Sequence, residues 1–151
     1  MRIRDARSEA GWRGVWAGLV SGLDDDALRL RFFSRSRAAA LAFCETALPE
    51  RLLVAEIGGA AAGAADVHVL GDVAEVGLCV SAAHRSRGVA GALVDAVISD
   101  PPGGAETLNL DFLQENAAVR AICVRRGARL SRRDGVVSAV VPLPRRGRLA
   151  A

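Results

Sequence analysis

Two stretches of the sequence place reactive residue types at spacings that suit chemistry. The first is Arg85-Ser86-Arg87-Gly88-Val89-Ala90-Gly91, two arginines running into small residues. A guanidinium offers a planar fork that can pair twice with a phosphate. Gly88 and Ala90 keep side chains away, so an anion can approach the backbone. The second is Glu75, the lone charge in the apolar run Ala74–Val80, with His68 seven residues before it. A carboxylate among apolar neighbours is costly and its pKa tends upward, which suits a proton acceptor. With a turn centred on Gly71-Asp72, His68 falls directly across from Glu75 on the same face, where it can orient or tune the carboxylate. Each has a plainer account. The arginines could be solvated residues of an ordinary turn, and Glu75 could face water at a strand edge.

The elements that must position these residues follow from periodicity. Met1 to Asp5 reads as a short strand, and Ser8 as the N-cap of a helix carrying Trp12, Val15, Trp16, Leu19 and Val20 on one side. Gly22 ends that helix. Asp24-Asp25-Asp26 opens a second one, where negative charge suits the helix's positive end. A basic loop and an Ala-rich helix through Cys44 carry the chain to Pro49. Strands are then expected at Arg51–Ile57, Ala60–Val69 and Ala74–Val80, joined by hairpin turns at Gly58-Gly59 and Gly71-Asp72. The loop of residues 81–87 feeds a helix over residues 88–99, which Asp100-Pro101-Pro102-Gly103-Gly104 closes. A strand at Thr107–Leu113, a helix over residues 116–126 ended by Gly127, and a strand over residues 136–143 complete the reading. The remainder, residues 144–151, reads as a flexible basic tail to a single domain of residues 1–143. Helices, then antiparallel strands, then strand-helix-strand-helix-strand imply a mixed α/β sheet with helices on both faces.

In that context Arg85-x-x-Gly88-x-Ala90 resembles the (Gln/Arg)-x-x-Gly-x-(Gly/Ala) signature of GNAT N-acetyltransferases, set after a strand and before a helix. Asn116 through a helix to Gly127 resembles the family's second coenzyme A segment, at a fitting distance from the first. Leu28-Arg29-Leu30-Arg31-Phe32-Phe33-Ser34 is similar to a stretch in a bacterial subgroup that includes protein lysine acetyltransferases. The resemblance spans all but the tail. It implies the GNAT fold, a mixed and mostly antiparallel sheet with helices on both faces. It also implies acetyl-coenzyme A as cosubstrate. Main-chain groups of Leu78, Cys79 and Val80 would pair with the pantetheine arm. Backbone amides over Arg85, Ser86, Arg87, Gly88, Val89, Ala90 and Gly91 would hold the pyrophosphate, at a helix start suited to anions. Asn116 would touch the coenzyme, although a plain N-cap explains it equally. Glu75 matches a glutamate that the lysine-acetylating subgroup uses as general base. Many relatives carry a Tyr as general acid seven residues after the Asn; here that position is Cys123, and the chain has no Tyr. A thiol can donate a proton, but a Cys on an inner helix face is more commonly a small buried hydrophobe. The acid is left unassigned.

Composition narrows the alternatives. Of the 151 residues, 51% are hydrophobic but only 4% aromatic, so Ala, Val and Leu must build the core. No apolar run approaches the ~18 residues of a membrane span, and the first residues lack a signal peptide's apolar stretch. Cys44, Cys79 and Cys123 lie far apart with no CxxC, which argues against a zinc site or disulfide framework and for a reducing cytoplasm. Cys44 and Cys79 read as core, and His84 as a solvent-facing loop residue. All 20 basic residues are Arg and the net charge is +3, yet they are dispersed without an aromatic stripe, so nucleic acid is not an expected partner. Expected partners are an acyl-coenzyme A and an amine, either protein lysine or a small molecule, with no metal; a homodimer is compatible. The competing expectation is a catalytically weak module of the same fold, which binds acyl-coenzyme A to sense it or to dock a partner.

Overall fold

The computed structural model describes residues 1–144; of the tail expected over residues 144–151, all but Pro144 lies outside the described residues. The chain forms one seven-stranded sheet in the order β1-β2-β3-β4-β5-β7-β6. The strands are β1 (Arg2–Asp5), β2 (Arg51–Ile57), β3 (Ala60–Leu70), β4 (Val73–Val80), β5 (Thr107–Leu113), β6 (Arg129–Arg133) and β7 (Val136–Pro142). The helices are α1 (Trp12–Ser21), α2 (Asp25–Phe32), α3 (Arg37–Thr46), α4 (Val89–Ser99) and α5 (Ala117–Arg125). All neighbours are antiparallel except β4 and β5. No helix among the described residues is long and apolar enough to cross a membrane.

Alternation along the strands separates two cores, one on each sheet face. On one face Leu53, Ala65, Val67, Val76, Leu108 and Phe112 pack against Val89, Leu93, Val94 and Val97 of α4 and Cys123 of α5. On the other, Leu52, Val54, Ala64 and Cys79 pack against Trp16, Leu19 and Val20 of α1, Leu28 of α2, and Ala40 and Cys44 of α3. Small residues in β3 let the layers close up. A Cβ on Gly63 would lie 2.7 Å from the Cys79 carbonyl oxygen and 2.9 Å from Val89 Cγ1.

Two expectations need correction. Ser8 does not cap α1. The Glu9 amide bonds back to the Ala6 carbonyl and the Arg7 amide to the Asp5 carboxylate, so these residues turn before the helix begins. The N-cap is Gly11 at φ 76°, with no side-chain cap. The second correction is β6, a strand to which the sequence reading assigned no element. Four of its five residues are exposed, so it is a polar edge strand without the apolar alternation that reveals inner strands. The Asp134-Gly135 turn before β7 carries positive φ at both residues, the dihedral signature of a two-residue hairpin.

Candidate active site

The site begins with a parting of two strands. β4 and β5 pair only at Val73↔Thr107, Ala74↔Leu108 and Glu75↔Asn109. Beyond Glu75, β4 continues to Val80, bonded only to β3. β5 meanwhile continues to Leu113, bonded to β7. The two facing edges therefore carry unpaired backbone groups, which need a partner or water. A cleft of about 1160 Å³ opens between them, lined by Gly77–Val80 on one side and Leu110–Phe112 on the other. An extended ligand carrying amides can pair with such an edge as an added strand would.

At the end of β4 the chain makes a 3₁₀ turn (Ala82–His84) and enters α4 through residues of unusual dihedral. Ser86 has φ 61° and Gly88, the N-cap of α4, φ 75°. No side chain caps α4, so its first amides and dipole face the cleft without a protein acceptor. That arrangement binds anions, phosphates above all. A Cβ on Gly88 would meet nothing within 4 Å, so the space in front of the helix start is open.

Of the expected binding residues, Leu78, Cys79, Val80, Arg85, Ser86, Gly88, Val89, Ala90, Gly91 and Asn116 all line this one cleft. Arg87 does not line it and is exposed. Asn116 also caps α5, its Oδ1 accepting from the Val119 amide at 3.3 Å, so both roles assigned to it fit together. Arg85 reaches across the mouth to Asp24 at 2.9 Å. The Ala27 amide and Arg85 hold the Asp24 carboxyl below the usual carboxylate range. His84, expected in solvent, is half-buried and lines the cleft, its Nδ1 2.6 Å from Ser81 Oγ.

The proton-handling residues collect where the strands part. His68 stands opposite Glu75, and Glu75 opposite Asn109, so the three share one face of β3, β4 and β5. All three line the cleft. Glu75 is exposed there, so the desolvation expected of it in an apolar strand is absent. The position, facing the cleft at its apex, is what recommends it. Cys123 is elsewhere. It is fully buried in the α4–α5 core and does not line the cleft, and burial pushes its thiol up. Burial likewise pushes the thiols of Cys44 and Cys79 up, to about 11 and about 12.

Residues that sequence reasoning left without a role complete the other half of the cleft. Phe32, Phe33 and Phe43 wall it from α2 and α3, and Asp111 and Asn109 stand on its floor. Asp66 is the only buried charged or polar residue of the described core, 3% exposed. Arg31 Nη2 donates to both its oxygens at 2.8 Å, and His68 Nε2 meets Oδ2 at 3.0 Å. Burial alone would raise the Asp66 carboxyl, but Arg31 and His68 outweigh it and hold it below the usual range. The signal was available: a carboxylate two residues from His68 inside the apolar stretch Ala60–Val69. Among the described residues no cluster of His, Cys, Asp or Glu could hold a metal ion.

Comparison with known proteins bears on this cleft. None of the curated proteins matches the sequence. Among solved structures, the GNAT domain of PAT from S. lividans is 23% identical with a TM-score of 0.77, covering 94% of this chain and 90% of that one. The ribosomal-protein-S18-alanine N-acetyltransferase of Escherichia coli is 19% identical with a TM-score of 0.70, covering 97% of this chain and 96% of that one. A putative acetyltransferase from Salmonella typhimurium, solved with its cofactor acetyl-CoA, is 18% identical with a TM-score of 0.67, covering 97% of this chain and 96% of that one. These likenesses show a common fold. The sequence itself matches the acetyltransferase (GNAT) family over residues 20–128, a span that runs from the end of α1 past α5 and holds the parted strands, the α4 entrance and Asn116. The chain therefore belongs to the acetyltransferase (GNAT) family.

Proposed function

We propose that the protein transfers an acetyl group from acetyl-coenzyme A to a primary amine, a protein lysine or a small-molecule amine, by direct attack with Glu75 as general base. The observation that carries this reading is the parting of β4 from β5 at Glu75↔Asn109, which sets the carboxylate at the apex of a cleft whose other end is an uncapped helix start. The free edge of β4 at Leu78–Val80 suits the amides of a pantetheine arm. The α4 amides and Arg85 suit a pyrophosphate. The thioester supplies a carbonyl carbon for attack and a thiolate that leaves.

On the acceptor side, Glu75 and Asp111 place negative charge on the floor, which favours entry of a protonated amine. That amine must lose a proton before it can attack, and Glu75 is positioned to take it. The aromatic wall of Phe32, Phe33 and Phe43 gives the remainder of the acceptor an apolar surface. Solved structures of this fold include acetyltransferases named for the S18 alanine and for ribosomal L7/L12, so the fold leaves the acceptor open.

A second reading, a module that binds acyl-coenzyme A without efficient transfer, draws on one observation. Cys123, at the place where many relatives carry an acid, is buried away from the cleft. A coenzyme A thiolate leaves readily without a strong acid, which favours catalysis. The two readings separate on one experiment, a panel of amines, lysine peptides and proteins incubated with acetyl-coenzyme A while free thiol is measured. Amine-dependent thiol release is the expected result. Binding of acetyl-coenzyme A without release on any acceptor would leave the module.

A further inference from the structure

Acetylation of a protonated amine releases one net proton per turnover: R–NH₃⁺ and acetyl-coenzyme A give the amide, the free thiol and H⁺. Glu75 must therefore pass on each proton it accepts. Its route to water narrows once cosubstrate and acceptor fill the cleft. The residue across from it is His68. Cross-strand neighbours have Cβ atoms about 5 Å apart, a separation that one water can bridge between the two side chains.

What surrounds His68 goes beyond what packing requires. Asp66 is almost fully buried, and Arg31 alone already neutralises it through two hydrogen bonds. Asp66 nevertheless takes a third contact, from His68 Nε2. A carboxylate can only accept, so Nε2 carries the hydrogen, and in the neutral ring the lone pair is on Nδ1. Arg31 keeps Asp66 ionised, so the carboxylate orients the ring without itself taking the proton. Phe43 lies 6.1 Å from the imidazole, centroid to centroid, near the range in which a ring face attracts a cation. The charged groups around His68 are Asp66 on its own strand, Arg31 from α2, Glu75 from β4, and Glu50 before β2, whose carboxylate accepts the Val69 amide. Three of these four are negative and accommodate an imidazolium.

Resting on the acetyltransferase reading, we propose that His68 is the proton relay of this site, taking from Glu75 the proton released by the acceptor amine and delivering it to bulk water, with Asp66 and Arg31 as its positioning residues. The amine N–H bond breaks with its electron pair kept on nitrogen, and the proton passes to a Glu75 oxygen. It then passes to His68 Nδ1, giving an imidazolium beside the Asp66 carboxylate, and leaves to solvent as the neutral ring is restored.

The test has two independent arms. Nitrogen-15 NMR of the histidine rings reads the tautomer in the full chain without any activity. The relay requires the Nε2–H form of His68 in the wild type and loss of that fixed tautomer in Asp66→Asn. An Nδ1–H ring in the wild type would overturn it. In the second arm, His68→Ala is expected to lower kcat about tenfold, the low end for acid–base groups, with the KM for acetyl-coenzyme A unchanged. Added imidazole should restore part of the rate, which a merely structural residue would not permit. A folded His68→Ala protein with wild-type kcat, or a slow one that imidazole does not revive, overturns the relay. Should His68→Ala fail to fold, the tautomer measurement decides. Failure of the underlying reading looks different: either no amine-dependent thiol release from the wild type, or Glu75→Gln as fast as the wild type.

Discussion

At the residue scale, the site turns on one contrast between two carboxylates. Glu75 is solvent-facing at the cleft apex, whereas Asp66, two strand positions from His68, is buried under α2 and held by Arg31. Exposure frees Glu75 to meet an acceptor; burial fixes Asp66 as an anion that orients others. Glu75→Gln should therefore slow transfer by about 10²-fold, a typical worth for a general base, while acetyl-coenzyme A binding measured by calorimetry stays near wild type. Asp66→Asn is expected to cost about 3 kcal/mol in urea unfolding at pH 7, because it strands the Arg31 charge. The sign of its pH dependence follows from the lowered Asp66 carboxyl. A depressed folded value means the stabilisation is complete above the ordinary 3.8 and is lost as pH falls through the folded value. The gap between wild type and Asp66→Asn should narrow in that acid range, and a gap independent of pH would count against the ion pair as its source. Cys123→Ala should cost about 1 kcal/mol through a small cavity and leave kcat per folded molecule unchanged, since the thiol is enclosed in the α4–α5 core.

At the element scale, the turn into α4 depends on residues of positive φ, Ser86 and Gly88. Gly88 at φ 75° is easy for glycine and strained for a β-branched residue. Gly88→Val therefore both strains the turn and fills the open space before the helix. The variant should lose the increase in melting temperature that acetyl-coenzyme A confers on the wild type, the increase expected of a ligand that binds only the folded state. An undiminished increase in Gly88→Val would argue that the phosphates sit elsewhere. Gly77 has a related function on β4, where a Cβ would collide with the Arg31 guanidinium. Arg31 cannot yield there without leaving Asp66. The elements themselves were mostly legible in the sequence, because apolar runs mark β2 and β3, alternation marks β4, and Gly-Gly and Gly-Asp mark their hairpins. Signals failed where tertiary context overrode local pattern. Ser8 looks like a cap, but the chain is still turning away from β1 at that point. β6 hides its pairing behind polar side chains, although Asp134-Gly135 was a hairpin clue.

At the scale of the whole molecule, one sheet carries two cores, and the cleft lies where neither core needs the sheet to be continuous. α1, α2 and α3 cover the β2–β4 side of one face, and α4 and α5 cover the other. The backbone half of the cleft was readable, since a glycine-bearing turn into a helix and an Asn-capped helix are local patterns. Its acceptor half was not. Arg31 and Phe43 are brought to Asp66 and His68 by packing of α2 and α3 over one face of the sheet, a juxtaposition with no sequence period. The parting of β4 and β5 is likewise a property of pairing, and it is the claim on which the rest depends. The most direct test is titration of the isotopically labelled protein with acetyl-coenzyme A while following backbone amide resonances. The account predicts saturable shifts concentrated at Gly77–Val80, at Arg85–Gly91 and at Asn116. Shifts that leave those three segments untouched, or none at saturating ligand, would contradict it.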